Sequence, residues 1–295
     1  MITPQTEHPE LAKIICVPRL YFKREDLHPY GSHKGRSIPV MIDVKIADKK
    51  KRALKQDTKY FAISSSGNAA LAAVHYIQER NARGDSLSLS IFIGKNINPE
   101  KKQKLVSLIY DKKISLIETE RPLQSLTKSG VESLRQSTDP TALIGYETLA
   151  RELSEIPDLR DVFVGTSTGT TAEALANFFI ANKKNVAVHI VQPVGNAPIA
   201  SEFDTEKRMS EISIADAIVD KVAHRKEALV NAIRKTGGAG WIVSNDEIRQ
   251  AKKLLSDKAG MKASPNGALS LAGLSRAILK GRKFSGSVVC IITGK

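Results

Sequence analysis

The chain has 295 residues, 41% of them hydrophobic and only 5% aromatic. That length holds a substantial core in one large domain or two modest ones, and the balance excludes a disordered chain. A formal net charge of +14 raises the question of nucleic acid, but much of the excess gathers in runs 45–59 and 100–104, which read as solvated helix faces. A nucleic-acid face would interleave aromatics for stacking, and only Tyr60 and Phe61 lie near either run. A positive field equally suits an anionic small molecule.

Cys16 and Cys290 sit in apolar runs and read as buried small hydrophobes, with no disulfide or metal framework. The N-terminus lacks the basic and apolar regions of a secretory signal. No apolar run approaches the roughly 20 residues needed to span a bilayer. The expectation is a soluble cytoplasmic protein in a reducing compartment.

Taken in chain order, the predicted elements alternate. A strand at 59–65 leads through a Gly-Asn turn to a helix at 67–81. A strand at 87–94 precedes a helix at 99–111, with Pro99 in its first turn. A strand follows at 114–119, then a helix at 145–156. Beyond it come strand 161–165, helix 169–182, strand 186–193, helix 224–236 and strand 241–244. Helices at 245–259 and 267–281 and a strand at 287–293 complete the set. Asn245 reads as an Asx cap with an acidic first turn after it. Residues 194–216 show no period and read as a long surface connection. Most strands are continuous Val/Ile runs rather than alternating ones, as in parallel strands covered on both faces. The class is therefore α/β, with open, mostly parallel sheets and helices on both faces. Neither an internal repeat nor a low-complexity segment is present, and composition marks no domain boundary.

Four segments carry candidate chemistry. The first is Tyr21-Phe-Lys-Arg-Glu-Asp-Leu-His-Pro-Tyr-Gly-Ser-His-Lys34-Gly-Arg36. A single lysine in a lysine-rich chain is usually a surface charge. Here the Gly31-Ser32 turn, Gly35 and the apolar stretch after Ser37 place Lys34 at a helix entrance. A nucleophilic lysine must reach its neutral form, which partial burial and nearby positive charge favour; Arg36 and the helix N-terminus can supply that charge. The second segment, Ser65-Ser66-Gly67-Asn68-Ala69, is either an ordinary capped turn or an anion site at a helix start. In the third, Gly165-Thr166-Ser167-Thr168-Gly169-Thr170, small hydroxyl residues and glycines let backbone amides close on a phosphate. The fourth is Thr293, at the end of a strand; β propensity alone would also explain it.

Together these segments resemble the fold type II pyridoxal-phosphate (PLP) enzymes, the tryptophan synthase β family. The wording Phe22-Lys-Arg-Glu-Asp-Leu27 is close to tryptophan synthase β itself. His28-Pro-Tyr-Gly-Ser-His-Lys-Gly-Arg36 resembles threonine synthase more, with His33 where Phe is usual and Gly35 where Asp is usual. Ala69 after Asn68 is also similar to threonine synthase, whereas the dehydratases usually show His there. Residues 165–170 resemble the Gly-Thr-Gly-Gly-Thr cup of cysteine synthases, with Thr166 and Thr168 replacing glycines. Threonine synthases carry Thr-Gly at the place of Thr293. The resemblance runs from about Tyr21 to the C-terminus; the Thr-Pro-Leu signature expected upstream is absent. The six histidines form no zinc-type pattern and there is no Walker loop.

The resemblance implies a role for each residue. Lys34 would hold the cofactor as a Schiff base and act as general base at the substrate α-carbon. His33 would neighbour the cofactor phosphate, and Gly165, Thr166, Ser167, Thr168, Gly169 and Thr170 would cup it. Asn68 would bond the cofactor's 3-hydroxyl, and Thr293 the pyridine nitrogen. Ser65, Ser66, Gly67, Asn68 and Ala69 would take the substrate carboxylate, and no metal is implied. It further implies a large domain of 1–36 plus 141–295 and an inserted small domain of 37–140, with the active site in the cleft and a homodimer as the assembly. The activity implied is β/γ-elimination or replacement on an amino acid. Threonine synthase comes first, converting O-phosphohomoserine and water to threonine and phosphate. Serine/threonine dehydratase, cysteine synthase-like and tryptophan synthase β-like activities remain open, as does a divergent paralogue that binds PLP without catalysis. A basic nucleic-acid-binding protein is the third class, recognisable by steeply salt-dependent binding.

Overall fold

The protein is described from a computed structural model, which covers residues 2–51, 60–206, 208–209 and 211–294. Residue 59 of the first expected strand and residues 52–59 of the first basic run lie outside the described residues. In chain order the elements are β1 (Gln5–Glu7), α1 (Pro9–Ile14), β2 (Arg19–Arg24), α2 (Lys34–Lys51), β3 (Tyr60–Ser64), α3 (Asn68–Ala82), β4 (Ser88–Gly94), α4 (Pro99–Leu108), β5 (Ile114–Thr119), α5 (Pro122–Lys128), β6 (Glu132–Ser133) and α6 (Thr141–Ile144). They continue with α7 (Glu147–Leu153), β7 (Leu159–Gly165), α8 (Thr170–Ala181), β8 (Ala187–Pro193), α9 (Lys226–Lys235), β9 (Gly240–Val243), α10 (Asn245–Ala259), α11 (Pro265–Leu279) and β10 (Ser287–Ile292). None of the described helices is long and apolar enough to cross a membrane.

The chain divides into two compact units: residues 1–28 with 146–295, and residues 29–145. The first holds a six-stranded sheet in the order β1-β2-β10-β7-β8-β9, parallel throughout except for β1. Its central strands are buried on both faces, which is why β10 carries a continuous apolar run and β8 a mostly apolar one, broken by His189 and Gln192. Successive β10 residues feed opposite cores. Val288, Cys290 and Ile292 pack with α1, α10 and α11, while Val289 and Ile291 pack with α7, α8 and α9. The second unit holds a parallel four-stranded sheet, β5-β4-β3-β6. One face packs against α2, α3 and α4 through Phe61, Ile63, Leu89 and Ile91; the other carries α5 through Ala62, Phe92 and Leu126.

Several expectations need correction. Strand β2 hides in the sequence because Arg19, Lys23 and Arg24 break its apolar run, yet Lys23 is fully buried. The expected helix at 145–156 is shorter, α7 over Glu147–Leu153 only, and a separate short helix, α6, precedes it and ends at Ile144. The helix expected to reach 111 stops at Leu108, where Ile109 turns extended. The cap of α10 is Ser244, not Asn245. Ser244 and Glu247 form a reciprocal capping box, and Asn245 is the first helical residue. Its side chain instead accepts from the Ile214 N–H and donates to the Ile212 carbonyl. Cys290 is buried in β10, but Cys16 is exposed, in a turn at φ 58° after α1. The expected surface connection 194–216 is partly interior: Ile199 and Ala200 are buried, and Arg276 pairs with Asp204 at 2.8 Å. Lys45 of the basic run is paired rather than simply solvated, 2.7 Å from Asp139.

Candidate active site

In the second unit, Lys34 is the first residue of α2 rather than part of the domain formed by 1–36. Gly31, at φ +73°, makes the turn before it. The Ser32 hydroxyl accepts the Lys34 N–H at 3.3 Å, and the Ser32 and His33 carbonyls accept the N–H groups of Gly35 and Arg36. The start of α2 is fixed to α6, since Ser37 Oγ donates to the Ala142 carbonyl at 2.8 Å. Lys34 itself is half-buried, and its ammonium makes no ion pair or hydrogen bond among the described residues. A lysine held at its backbone and free at its tip is suited to covalent work.

Ser65, Ser66, Gly67, Asn68 and Ala69 are half-buried and form the turn from the end of β3 into α3. Ser65 Oγ accepts the Gly67 N–H at 3.2 Å. Gly67 caps α3 with extended backbone and no side-chain hydrogen bond, and the first-turn amides have no side-chain acceptor among the described residues. Such a helix start favours an anion, and it stands at the carboxyl end of a parallel strand, where open α/β sheets place ligands.

In the first unit, Gly165 ends β7 and Thr170 opens α8. Between them Gly169 adopts φ +85°, and a Cβ there would come 2.1 Å from Leu229 Cδ2, so only glycine fits. Its N–H donates to Thr166 Oγ1 at 3.0 Å, and the hydroxyls of Thr168 and Thr170 lie 3.2 Å apart. Helix α8 has no side-chain cap. Ser167 Oγ donates to the Asp220 carboxylate at 2.7 Å and accepts the Asp220 N–H at 3.2 Å. Sequence reasoning passed over two residues here. Asp220 lies in an aperiodic stretch without a signal. Gln192, a polar residue inside the mostly apolar β8, is a visible one.

Thr293 is buried and follows β10. The register of Ile291 opposite Val164 brings it to the same end of neighbouring strands as Gly165 and Thr166. Its neighbour is anchored, because Ser264 Oγ donates to the Gly294 carbonyl at 3.1 Å while also capping α11.

A doubly covered parallel sheet with a small-residue loop opening a helix at its carboxyl edge defines a ligand-binding α/β protein. The chain belongs to the pyridoxal-phosphate dependent enzyme family, whose description matches residues 2–294. It is 26% identical to a threonine synthase of Methanocaldococcus jannaschii, over 99% of this chain and 74% of that protein. Its fold is that of the fold type II enzymes. Maize serine racemase matches with a TM-score of 0.80 at 18% identity, over 99% of this chain and 87% of that one. A threonine deaminase of Solanum lycopersicum matches with a TM-score of 0.78 at 22% identity, over 99% and 78%. The cofactor is pyridoxal 5'-phosphate. The residues fit it: the loop through Gly169 leaves room for no side chain there and ends in an uncapped helix start, a setting for a phosphate.

Proposed function

We propose that the chain is a threonine synthase-like lyase, converting O-phosphohomoserine and water to threonine and phosphate. The observation that carries this reading is the similarity of almost the whole chain to relatives named threonine synthase, the Methanocaldococcus protein among them. The replacement of the dehydratases' usual histidine by Ala69 points the same way.

Bound pyridoxal phosphate supplies the electron sink for carbanion chemistry. Lys34 Nζ holds the cofactor between turnovers and then takes and returns protons at the substrate carbons. The loop from Gly165 to Thr170 receives the cofactor phosphate at the start of α8, with His33 as a further phosphate neighbour. The Asn68 side chain would help hold the cofactor ring. The Thr293 hydroxyl would hold the cofactor ring as a neutral partner. The turn of Ser65, Ser66, Gly67, Asn68 and Ala69 receives the substrate carboxylate through the open amides of α3.

The test is a near-visible absorption spectrum of the protein with added PLP, for wild type and Lys34→Ala, followed by O-phosphohomoserine. A cofactor band present only in wild type, with phosphate released and threonine formed, is the expected result. A band with no phosphate release, but keto-acid and ammonia formed from serine or threonine, would replace the reading with a dehydratase. A band unaltered in Lys34→Ala would remove Lys34 from its role.

A further inference from the structure

We propose that Gln192 is the positioning residue that turns the backbone of the 166–168 loop into an anion receptor. Gln192 is fully buried in β8, and all its polar atoms are committed. Its Nε2 donates to the carbonyls of Thr166 at 3.3 Å and Ser167 at 3.0 Å. Its Oε1 accepts the N–H groups of Ile199 at 3.0 Å and Ala200 at 2.8 Å. This second pair fixes which end of the amide is which.

The consequence follows from peptide planarity. The peptide bonds are trans, so each carbonyl points opposite to the N–H of the next residue. Holding the Thr166 and Ser167 carbonyls toward Gln192 therefore aims the N–H groups of Ser167 and Thr168 away from it, side by side. Two successive amides aimed the same way, next to a left-handed Gly169, form a nest for an anionic oxygen. The Gly169 N–H does not join them, because Thr166 Oγ1 takes it. A glutamine is required because only an amide can donate to two carbonyls while accepting from two N–H groups.

This inference rests on the assignment of the loop to the cofactor phosphate, and the experiment separates the two. In the wild-type protein, inorganic phosphate should move the amide resonances of Ser167 and Thr168 downfield and leave that of Gly169 in place. Resonances of Ser167 and Thr168 that ignore phosphate would overturn the proposal without any variant. Gln192→Glu keeps the acceptor for Ile199 and Ala200 but loses both donors; Gln192→Met loses all four bonds and adds no charge. In both, affinity for PLP should fall about 10- to 100-fold, while affinity for unphosphorylated pyridoxal changes little. An equal loss for both ligands, or a loss confined to the charged variant, would overturn the positioning role. Thr168→Asp places a charge in the loop itself. If it too spares the preference for PLP over pyridoxal, the phosphate assignment falls. If it abolishes that preference while the Gln192 variants keep it, only the role of Gln192 falls.

Discussion

Gly145 lies so close to the start of α2 that a Cβ on it would stand 2.3 Å from the Arg36 carbonyl oxygen and 2.5 Å from the Ser37 Cα. Both contacts are backbone, which cannot swing aside as a side chain can. Gly145→Ala should therefore push the first turn of α2 away from α6 and shift Lys34, two residues before Arg36. Overpacking of this kind costs about 1–3 kcal/mol. The expected outcome is a lower midpoint in denaturant unfolding and a weakened cofactor band. An unchanged band with unchanged stability would mean that the turn is not held there.

A second prediction concerns acid. His189 is fully buried, stacked on Phe163 with ring centroids 4.3 Å apart, and Asp161 and Arg282 are the charged groups beside it. Its Nδ1 accepts the Ala239 N–H at 3.1 Å and the Trp241 Nε1–H at 3.3 Å, so the proton sits on Nε2 and is donated to Asp161. Burial, above all, pushes its pKa down from 6.5 to about 4, outweighing the Asp161 bond that raises it. The unfolded chain takes up this proton near pH 6.5 and the folded one only near pH 4. Stability should therefore be full above pH 6.5 and decline as pH falls toward 4, by roughly 3 kcal/mol in all. Urea unfolding across that range should show the slope, and His189→Gln should flatten it.

The third prediction follows from the cap of α10. Ser244 Oγ accepts the Glu247 N–H at 3.3 Å, and the Glu247 carboxylate accepts the Ser244 N–H at 2.7 Å. Ser244→Ala should cost about 1 kcal/mol. Asn245→Ala should instead loosen the 212–214 backbone, which its side chain bridges. Hydrogen exchange at the Ile214 amide distinguishes the two: it should speed up in Asn245→Ala and not in Ser244→Ala.

The misassigned cap shows what the sequence carries and what it conceals. Ser-Asn-Asp-Glu offers two capping residues in a row, and only the reach of Glu247 back to Ser244 decides between them. Strands β7 and β10 were legible because a doubly buried parallel strand writes itself as a nearly unbroken Val/Ile run, whereas β4, β8 and the largely exposed edge strand β5 mix polar residues among apolar ones and were legible from their Ile, Leu and Val content. Strand β2 was not, since a buried lysine there is recognisable only once its partners are known. Helix α2 was only partly legible: Gly35 and Pro39 are poor helix formers, and its first turn is held from outside by Ala142. The candidate site segments were legible as motifs. Gln192 showed only as a polar interruption of β8 and Asp220 not at all; both meet the 166–168 loop through the fold.

The buried lysine yields the last prediction. Lys23 has no exposed surface, and its ammonium lies 2.5 Å from Glu152 Oε2, 2.8 Å from the Thr3 carbonyl and 3.2 Å from Gln5 Oε1. It thus ties residues 3–5 and α7 to β2, the strand beside β10. A buried ion pair gains little net stability, because desolvation offsets the attraction, but removing one member strands the other. Glu152→Gln should accordingly cost about 3–5 kcal/mol by leaving the ammonium poorly compensated. Lys23→Met should cost a comparable amount by stranding the carboxylate. The double variant Lys23→Met/Glu152→Met should recover most of either loss. A double variant as unstable as the sum of the two singles would mean that the pair does not act as a unit, and that Thr3 and Gln5 hold the lysine instead.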